Sequence, residues 1–328
     1  MDLTCAYMGM NLKNPVIASA SPLSESLSGM QQLEDSGVSA IVMHSLFEEQ
    51  IRQDEAALSR LLMQGTFSQA ESSGYFPVTR FDSGPDQYLK LLERASGALD
   101  IPVIASFNCM SESGWIEYAI AMEQAGASGI ELNIYSIEAN LDVSASSVEQ
   151  RYLDIVSQVK QAVTIPVALK LSPFFSSMGH IARQLDNLGI NGLVLFNRFY
   201  QPDIDINTLT LHSSVQLSQA DEIRLPMLWI ALLFGKINAS LAATRGVETW
   251  VEVVKYLLAG TDVVMTTSAL LRNGPAYTGE LLAGLCNWMD DHEFESVKQM
   301  RGVMSHGRVA DPGAFERANY VRILAQHG

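Results

Sequence analysis

Short runs of small and β-branched apolar residues recur along the chain, each followed by a polar turn and an amphipathic stretch. The runs are Pro15–Ala18, Ala40–Met43, Pro102–Ala105, Gly129–Leu132, Pro166–Leu169, Gly192–Leu195, Ala239–Ala242 and Asp262–Met265. Unbroken apolarity over so few residues, without strict alternation, marks strands buried on both faces, as in a parallel sheet. Between the runs the period changes to that of a helix. Trp115, Tyr118, Ala119 and Met122 share one face of Gly114–Ala125, and Tyr152, Ile155, Val156 and Val159 share one face of Val148–Ala162. Met178–Leu188 and Val247–Leu258 follow the same spacing. Gly37, Gly126, Gly189 and Gly260 stand where these helices should end. Pro102 and Pro166 open strands, where a missing N–H does least harm.

Eight strand–helix units in series predict an α/β fold, a closed (β/α)8 TIM barrel. The rival, an open doubly wound sheet, usually carries Gly-x-Gly-x-x-Gly after its first strand. Here that turn is Ala18-Ser19-Ala20-Ser21-Pro22. Two connections are long. The stretch from Phe47 to Ile101 reads as a helix (Gln50–Met63), a Ser/Gly/aromatic-rich loop (65–84) and a second helix (Asp86–Leu99). The stretch from Arg198 to Pro226 reads as a strand or hairpin excursion over the barrel mouth, between the sixth strand and the helix that follows. Long loops in compact domains often serve as lids or binding loops. No repeat or linker interrupts the pattern, so residues 1–328 are expected to form one domain.

Composition narrows the function classes. A hydrophobic share of 48% with 17% charged residues points to a large core rather than disorder. The net charge of −15 argues against nucleic acid and anionic membranes as partners. A phosphate-bearing cofactor remains compatible, because backbone N–H groups meet its charge locally. Cys5, Cys109 and Cys286 are far apart and form no Cys-x-x-Cys pair, which speaks against zinc or an iron–sulfur cluster, so no metal is expected. Reduced cysteines, no signal-peptide pattern at Met1-Asp2-Leu3-Thr4 and no long apolar span give the expectation of a cytoplasmic protein.

In a barrel of this kind the chemistry lies at the C-terminal ends of the strands. Asn108, Asn133 and Asn197 end three of them. Amides offer a donor and an acceptor together, which suits the edge of a heterocycle, although any one Asn also makes a good turn. Lys170 interrupts the apolar run Val167–Leu171 and must face inward. There it needs an anion, either a ligand or a structural carboxylate such as Glu131. Thr244-Arg245-Gly246 and Thr267-Ser268 end the last two strands, the usual place for a phosphate, and read otherwise as ordinary turns.

Asn14-Pro15 with Ala18-Ser19, Glu131-Leu132-Asn133, Val167 through Pro173, Asn197, Thr244 with Gly246, and Ala269-Leu270 with Gly274-Pro275 together resemble the dihydroorotate dehydrogenases in their soluble form. The resemblance spans nearly the whole chain. It implies oxidation of dihydroorotate to orotate, a step of pyrimidine biosynthesis, with FMN accepting the hydride. It maps cofactor contacts onto Ala18, Ser19, Ser45, Asn108, Asn133, Lys170, Gly246, Thr267 and Ser268, to which the strand-end position adds Thr244. Lys170 would then stabilise the anionic reduced flavin. Asn133, Asn197 and Arg198 fall on the substrate side, and Arg198 would favour an anionic substrate unless it is simply exposed. Dimerisation is a family expectation.

The chain also departs from the family. His44-Ser45 stands where Lys-Ser is usual. The usual Asn-x-Ser-Cys-Pro-Asn is Asn133-Ile134-Tyr135-Ser136-Ile137-Glu138, which puts Ser136 at the position of the proton-removing base. The loop that usually supplies an Asn to the substrate ring is Glu71-Ser72-Ser73-Gly74-Tyr75, and the Gly-Gly after the seventh strand is Arg245-Gly246. Serine needs a neighbour to take its proton; His44 and Tyr135 are candidates, and Cys109 is an alternative base. The expected catalytic set is therefore Ser136, Lys170 and His44, with a flavin site kept and a substrate site remodelled. The electron acceptor is expected to be a partner protein or a small oxidant. Three rival readings are a flavin enzyme on another dihydropyrimidine or carboxylate, a non-catalytic flavin-binding subunit, and an aldolase with Lys170 as Schiff base.

Overall fold

The structure, a computed structural model, describes residues 1–48, 84–108, 112–134, 137–198, 203–212 and 216–316. Its centre is a closed barrel of eight parallel strand positions. The first is Val16–Ala18 and the second is split into Ile41–Val42 and Leu46–Phe47. Then follow Val103–Asn108, Gly129–Asn133, Val167–Leu171, Gly192–Leu195, Ser240–Thr244 and Val263–Thr266, each beside its predecessor. The eighth pairs with the first and closes the ring. All eight apolar runs are strands of this barrel, because each is covered by helices outside and by the barrel core inside.

Residues two apart on a strand share a face, and this alternation sorts the core into two clusters. Val16, Ile41, Ala105, Leu169 and Leu193 face the surrounding helices. Ile17, Val42, Ile104, Ala168, Val194, Ala242 and Met265 face the barrel axis. Of the predicted helices, Glu112–Gln124, Ala145–Ala162, Met178–Asn187 and Trp250–Ala259 form within a few residues of expectation. The second, for example, buries Tyr152, Ile155, Val156 and Val159. The helix expected at Asp86–Leu99 spans Gly84–Ala98, while the one expected at Gln50–Met63 lies outside the described residues.

Two features go beyond the sequence pattern. An antiparallel hairpin, Cys5–Tyr7 with Met10–Leu12, precedes the barrel and plugs its lower end. Tyr7, Met8 and Leu12 join the axial cluster, and the Met8 N–H donates to Ser240 Oγ at 3.1 Å. The second strand is thin. It meets the first through the single registered pair Ala18↔Ile41, whereas the fourth and fifth share four such pairs. The excursion after the sixth strand contains the hairpin Asp203–Asp205 with Thr210–His212, then the helix Arg224–Leu233. Among the described residues no helix is long and apolar enough to cross a membrane.

Candidate functional site

Polarity rises along the inner faces of the strands toward their C-terminal ends. The inward series runs Ile104, Ser106, Asn108 on the third strand, then Glu131, Asn133 on the fourth, Ala168, Lys170 on the fifth and Ala242, Thr244 on the seventh. All these polar side chains are buried. The strands thus deliver chemistry to one end of the barrel and leave the other apolar.

Two hydrogen-bonded sets result. In the first, Lys170 Nζ lies 3.3 Å from Glu131 Oε1 and 3.5 Å from Ser19 Oγ. Both contacts are long for an ammonium, whose usual bonds to carboxylates are 2.7–2.9 Å. Glu131 Oε2 has no partner. In the second, Asn197 Nδ2 donates to Asn133 Oδ1 at 2.6 Å, and Asn133 Nδ2 reaches Ser45 Oγ at 3.5 Å. Ser45 and Ser106 share a hydroxyl–hydroxyl bond of 2.7 Å. Tyr88 braces this set, since its hydroxyl accepts from the Ser106 N–H at 2.9 Å and donates to the Ser106 carbonyl at 3.2 Å.

His44 sits beside Tyr88, ring edge to ring face at 5.0 Å, with Nδ1 3.4 Å from the Ser24 carbonyl. Burial pulls its pKa below the usual value, against the opposing effects of that carbonyl and of the Glu25 charge. Burial thus favours the neutral imidazole.

At the barrel mouth a cleft of about 350 Å³ is lined by Ser19, Lys170, Asn197, Thr244, Thr267 and Ser268. The excursion roofs it with Leu217 and Ser218. Thr267 Oγ1 donates to the Ser19 carbonyl at 3.1 Å, and Ser268 Oγ accepts from the Ser218 N–H at 3.1 Å. Both hydroxyls thus shape the loop. Thr266 lines the cleft too, but its side chain falls on the outer face of the strand with Val264, where its Oγ1 is buried and has no partner. Gly246 takes φ +69°, and a Cβ there would lie 2.6 Å from Ile223 Cγ2 and 2.9 Å from the Gln219 carbonyl. Only glycine fits against that turn.

Arg245 also adopts a positive φ, +83°, which is uncommon for a side-chain-bearing residue. Its carbonyl accepts from the Tyr256 hydroxyl at 2.9 Å, and its guanidinium meets Glu222 Oε2 at 2.6 Å. Arg198 meets the other oxygen of Glu222 at 3.3 Å and donates to the Gln216 carbonyl. Burial works to raise the Glu222 carboxyl, but the Arg245 bond, the Gln219 N–H and both guanidinium charges hold it below its ordinary value.

Ser19, Lys170, Asn197, Arg198, Thr244, Thr267 and Ser268 thus share one cleft, with Asn133 and Ser45 bonded into its floor. Ala18 lies in the ladder, its N–H bonded to the Ala40 carbonyl. Asn108 is buried opposite Phe47 at the end of the third strand and is not among the residues that line this cleft. Arg198 lines the cleft, is partly buried, and pairs with Glu222 there. Ser136, Tyr135, Cys109 and the loop 71–75 lie outside the described residues. The approach to Ser136 is anchored, because the Tyr152 hydroxyl donates to the Ile134 carbonyl at 3.2 Å. Sequence reasoning missed Glu222 and Tyr88, neither of which stands at a strand end or carries a motif.

No family model matches the chain. Full-length relatives do. It is 23% identical to the catalytic subunit of dihydroorotate dehydrogenase B (NAD(+)) from Thermoplasma acidophilum, over 92% of this chain and 98% of the relative. The subunit of the same name from Methanothermobacter thermautotrophicus is 24% identical over the same shares. The NAD-dependent dihydropyrimidine dehydrogenase subunit PreA from Escherichia coli is 23% identical over 94% of this chain and 78% of its own length. Across most of its length, then, the chain is a distant homologue of dihydroorotate dehydrogenases and of a dihydropyrimidine dehydrogenase subunit.

Proposed function

We propose that this chain is an FMN-dependent oxidoreductase of the dihydroorotate dehydrogenase type, acting on a CH–CH bond of a small substrate. One observation carries the reading. Lys170, Asn197 and Ser19 line one cleft together with Thr244, Arg245, Thr267 and Ser268, and Gly246 follows Arg245 in the turn after the seventh strand. The donor set fits FMN. Amides suit the edge of its ring system, an ammonium suits its electron-rich side, and a glycine backbone with nearby hydroxyls suits a phosphate. Bound FMN supplies a hydride acceptor. Lys170 meets the negative charge that arrives, the Asn133–Asn197 bond fixes which amide faces inward, and Gly246 lets the backbone come close. Ser136, in the loop after the fourth strand, is the proposed proton-transfer residue. The electrons then pass to a partner protein or a small oxidant.

We infer an uncharged dihydropyrimidine rather than dihydroorotate as substrate: His44 replaces the family's usual lysine, burial favours its neutral form and it lines the adjoining pocket with Glu25 and Tyr88, while Arg198 in the cleft already pairs with Glu222.

The visible spectrum of purified protein supplemented with FMN tests the cofactor. A retained flavin spectrum is expected, and protein that takes up no FMN overturns the proposal. Anaerobic addition of dihydroorotate and of a neutral dihydropyrimidine then separates the substrates. Bleaching by the neutral ring alone is expected; bleaching by dihydroorotate alone restores the family reaction.

A further inference from the structure

Glu131 is a buried carboxylate, 1% exposed, that the reading above leaves without a role. Among the described residues its one hydrogen-bond partner is Lys170, and its second oxygen has none. A buried charge so thinly supported is costly unless other groups share it. The barrel register shows what lies around it. Ser106, Glu131, Ala168 and Gly192 form one rung across four strands, and Lys170 lies on a rung nearer the cleft, opposite Asn133. At Gly192 a Cβ would stand 3.2 Å from the Tyr7 hydroxyl, so glycine there admits that hydroxyl to the rung of Glu131.

Tyr7 comes from the hairpin plug and is wholly buried, and its hydroxyl has no partner. Burial raises its pKa well above the usual value and the Glu131 charge raises it further, so the phenol remains a proton donor within the field of Glu131. Two unpartnered polar atoms, one acceptor and one donor, thus share the barrel axis below Lys170. Ordered upward, the axis reads Tyr7, Glu131, Lys170, cleft.

We propose that Glu131 and Tyr7 are positioning residues that set how much of the Lys170 charge reaches the cleft. This rests on the assignment of the cleft to FMN, whose reduced form is anionic. Glu131 draws the ammonium downward. Tyr7, directly or through a bridging water, solvates Glu131 from below and loosens that hold. The two residues therefore act with opposite sign on an anion bound above.

The midpoint potential of bound FMN reads this sign. Glu131→Gln leaves the ammonium uncompensated and should raise the potential, about tenfold in relative affinity for the reduced form, or about 30 mV for two electrons. Tyr7→Phe keeps the shape, removes the donor and should lower it. Lys170→Met should lower it as well. A purely structural role would change stability without opposite potential shifts. A potential that falls or stays fixed in Glu131→Gln, or rises in Tyr7→Phe, overturns the proposal.

Unfolding of the cofactor-free protein gives an independent check. Lys170→Met strands Glu131, so the double variant Lys170→Met/Glu131→Gln should be more stable than the single one. A double variant no more stable would refute the charge pairing. If wild-type protein takes up no FMN, the cofactor assignment fails, and the unfolding comparison alone then judges Glu131.

Discussion

His44 shows how one side chain can carry two consequences. Burial holds its folded pKa below the unperturbed 6.5. The folded state therefore binds fewer protons than the unfolded state between those two values, and stability rises with pH across that window. Put the other way, the contribution is fully present above pH 6.5 and is lost as pH falls through the folded value. Urea unfolding of wild type and His44→Gln on the acid side of neutrality should show a steeper pH dependence in wild type. Parallel curves would mean that His44 is not held neutral. Lys170 was readable from sequence because a charge in an apolar run has to be answered by something. The positive φ of Arg245 was not, since nothing in an arginine side chain announces a left-handed backbone. Nor was Glu222 readable: a carboxylate in an acidic protein is unremarked until two guanidiniums close on it.

At the scale of elements, Glu222 ties the excursion to the barrel. It sits in the turn Ala220–Ile223, and its carboxylate joins Arg198 after the sixth strand to Arg245 after the seventh. Isolated surface ion pairs contribute roughly 0–1 kcal/mol, but this one is partly buried and has two cationic partners. Glu222→Gln should speed amide hydrogen exchange in residues 217–224, and added salt should do the same to wild type. Unchanged protection in the variant would show that packing on Gly246 alone holds the segment. The barrel strands were legible because burial on both faces leaves an unbroken apolar word in the sequence. The hairpin Cys5–Tyr7 with Met10–Leu12 was not. Its arms are three residues each, too short to show a period, and its burial comes from the barrel it enters.

For the molecule as a whole, that hairpin makes the barrel one-ended. Met8 packs near Gly129 and Gly192, where a Cβ would stand 3.2 and 3.1 Å from its side chain. Met8→Ala should hollow the floor and cost about 2–5 kcal/mol of unfolding free energy, measured by urea titration. A loss well below this would mean that the floor collapses onto the gap. The plug also joins the two ends of the molecule's polarity, since Tyr7 reaches upward from the apolar floor toward the charged layer.

The thin second strand has a different consequence. A closed hoop distributes load evenly only when its joints are equal, and the joint between the first two staves holds one registered pair. His44 and Ser45 lie in the gap between the two pieces of that second stave. When the ring breathes, it should part first along this seam, beside the rim that carries Ser19. Amide exchange at Ile41 and Val42 should therefore outpace that at Leu132 and Leu169, in the evenly jointed part of the hoop.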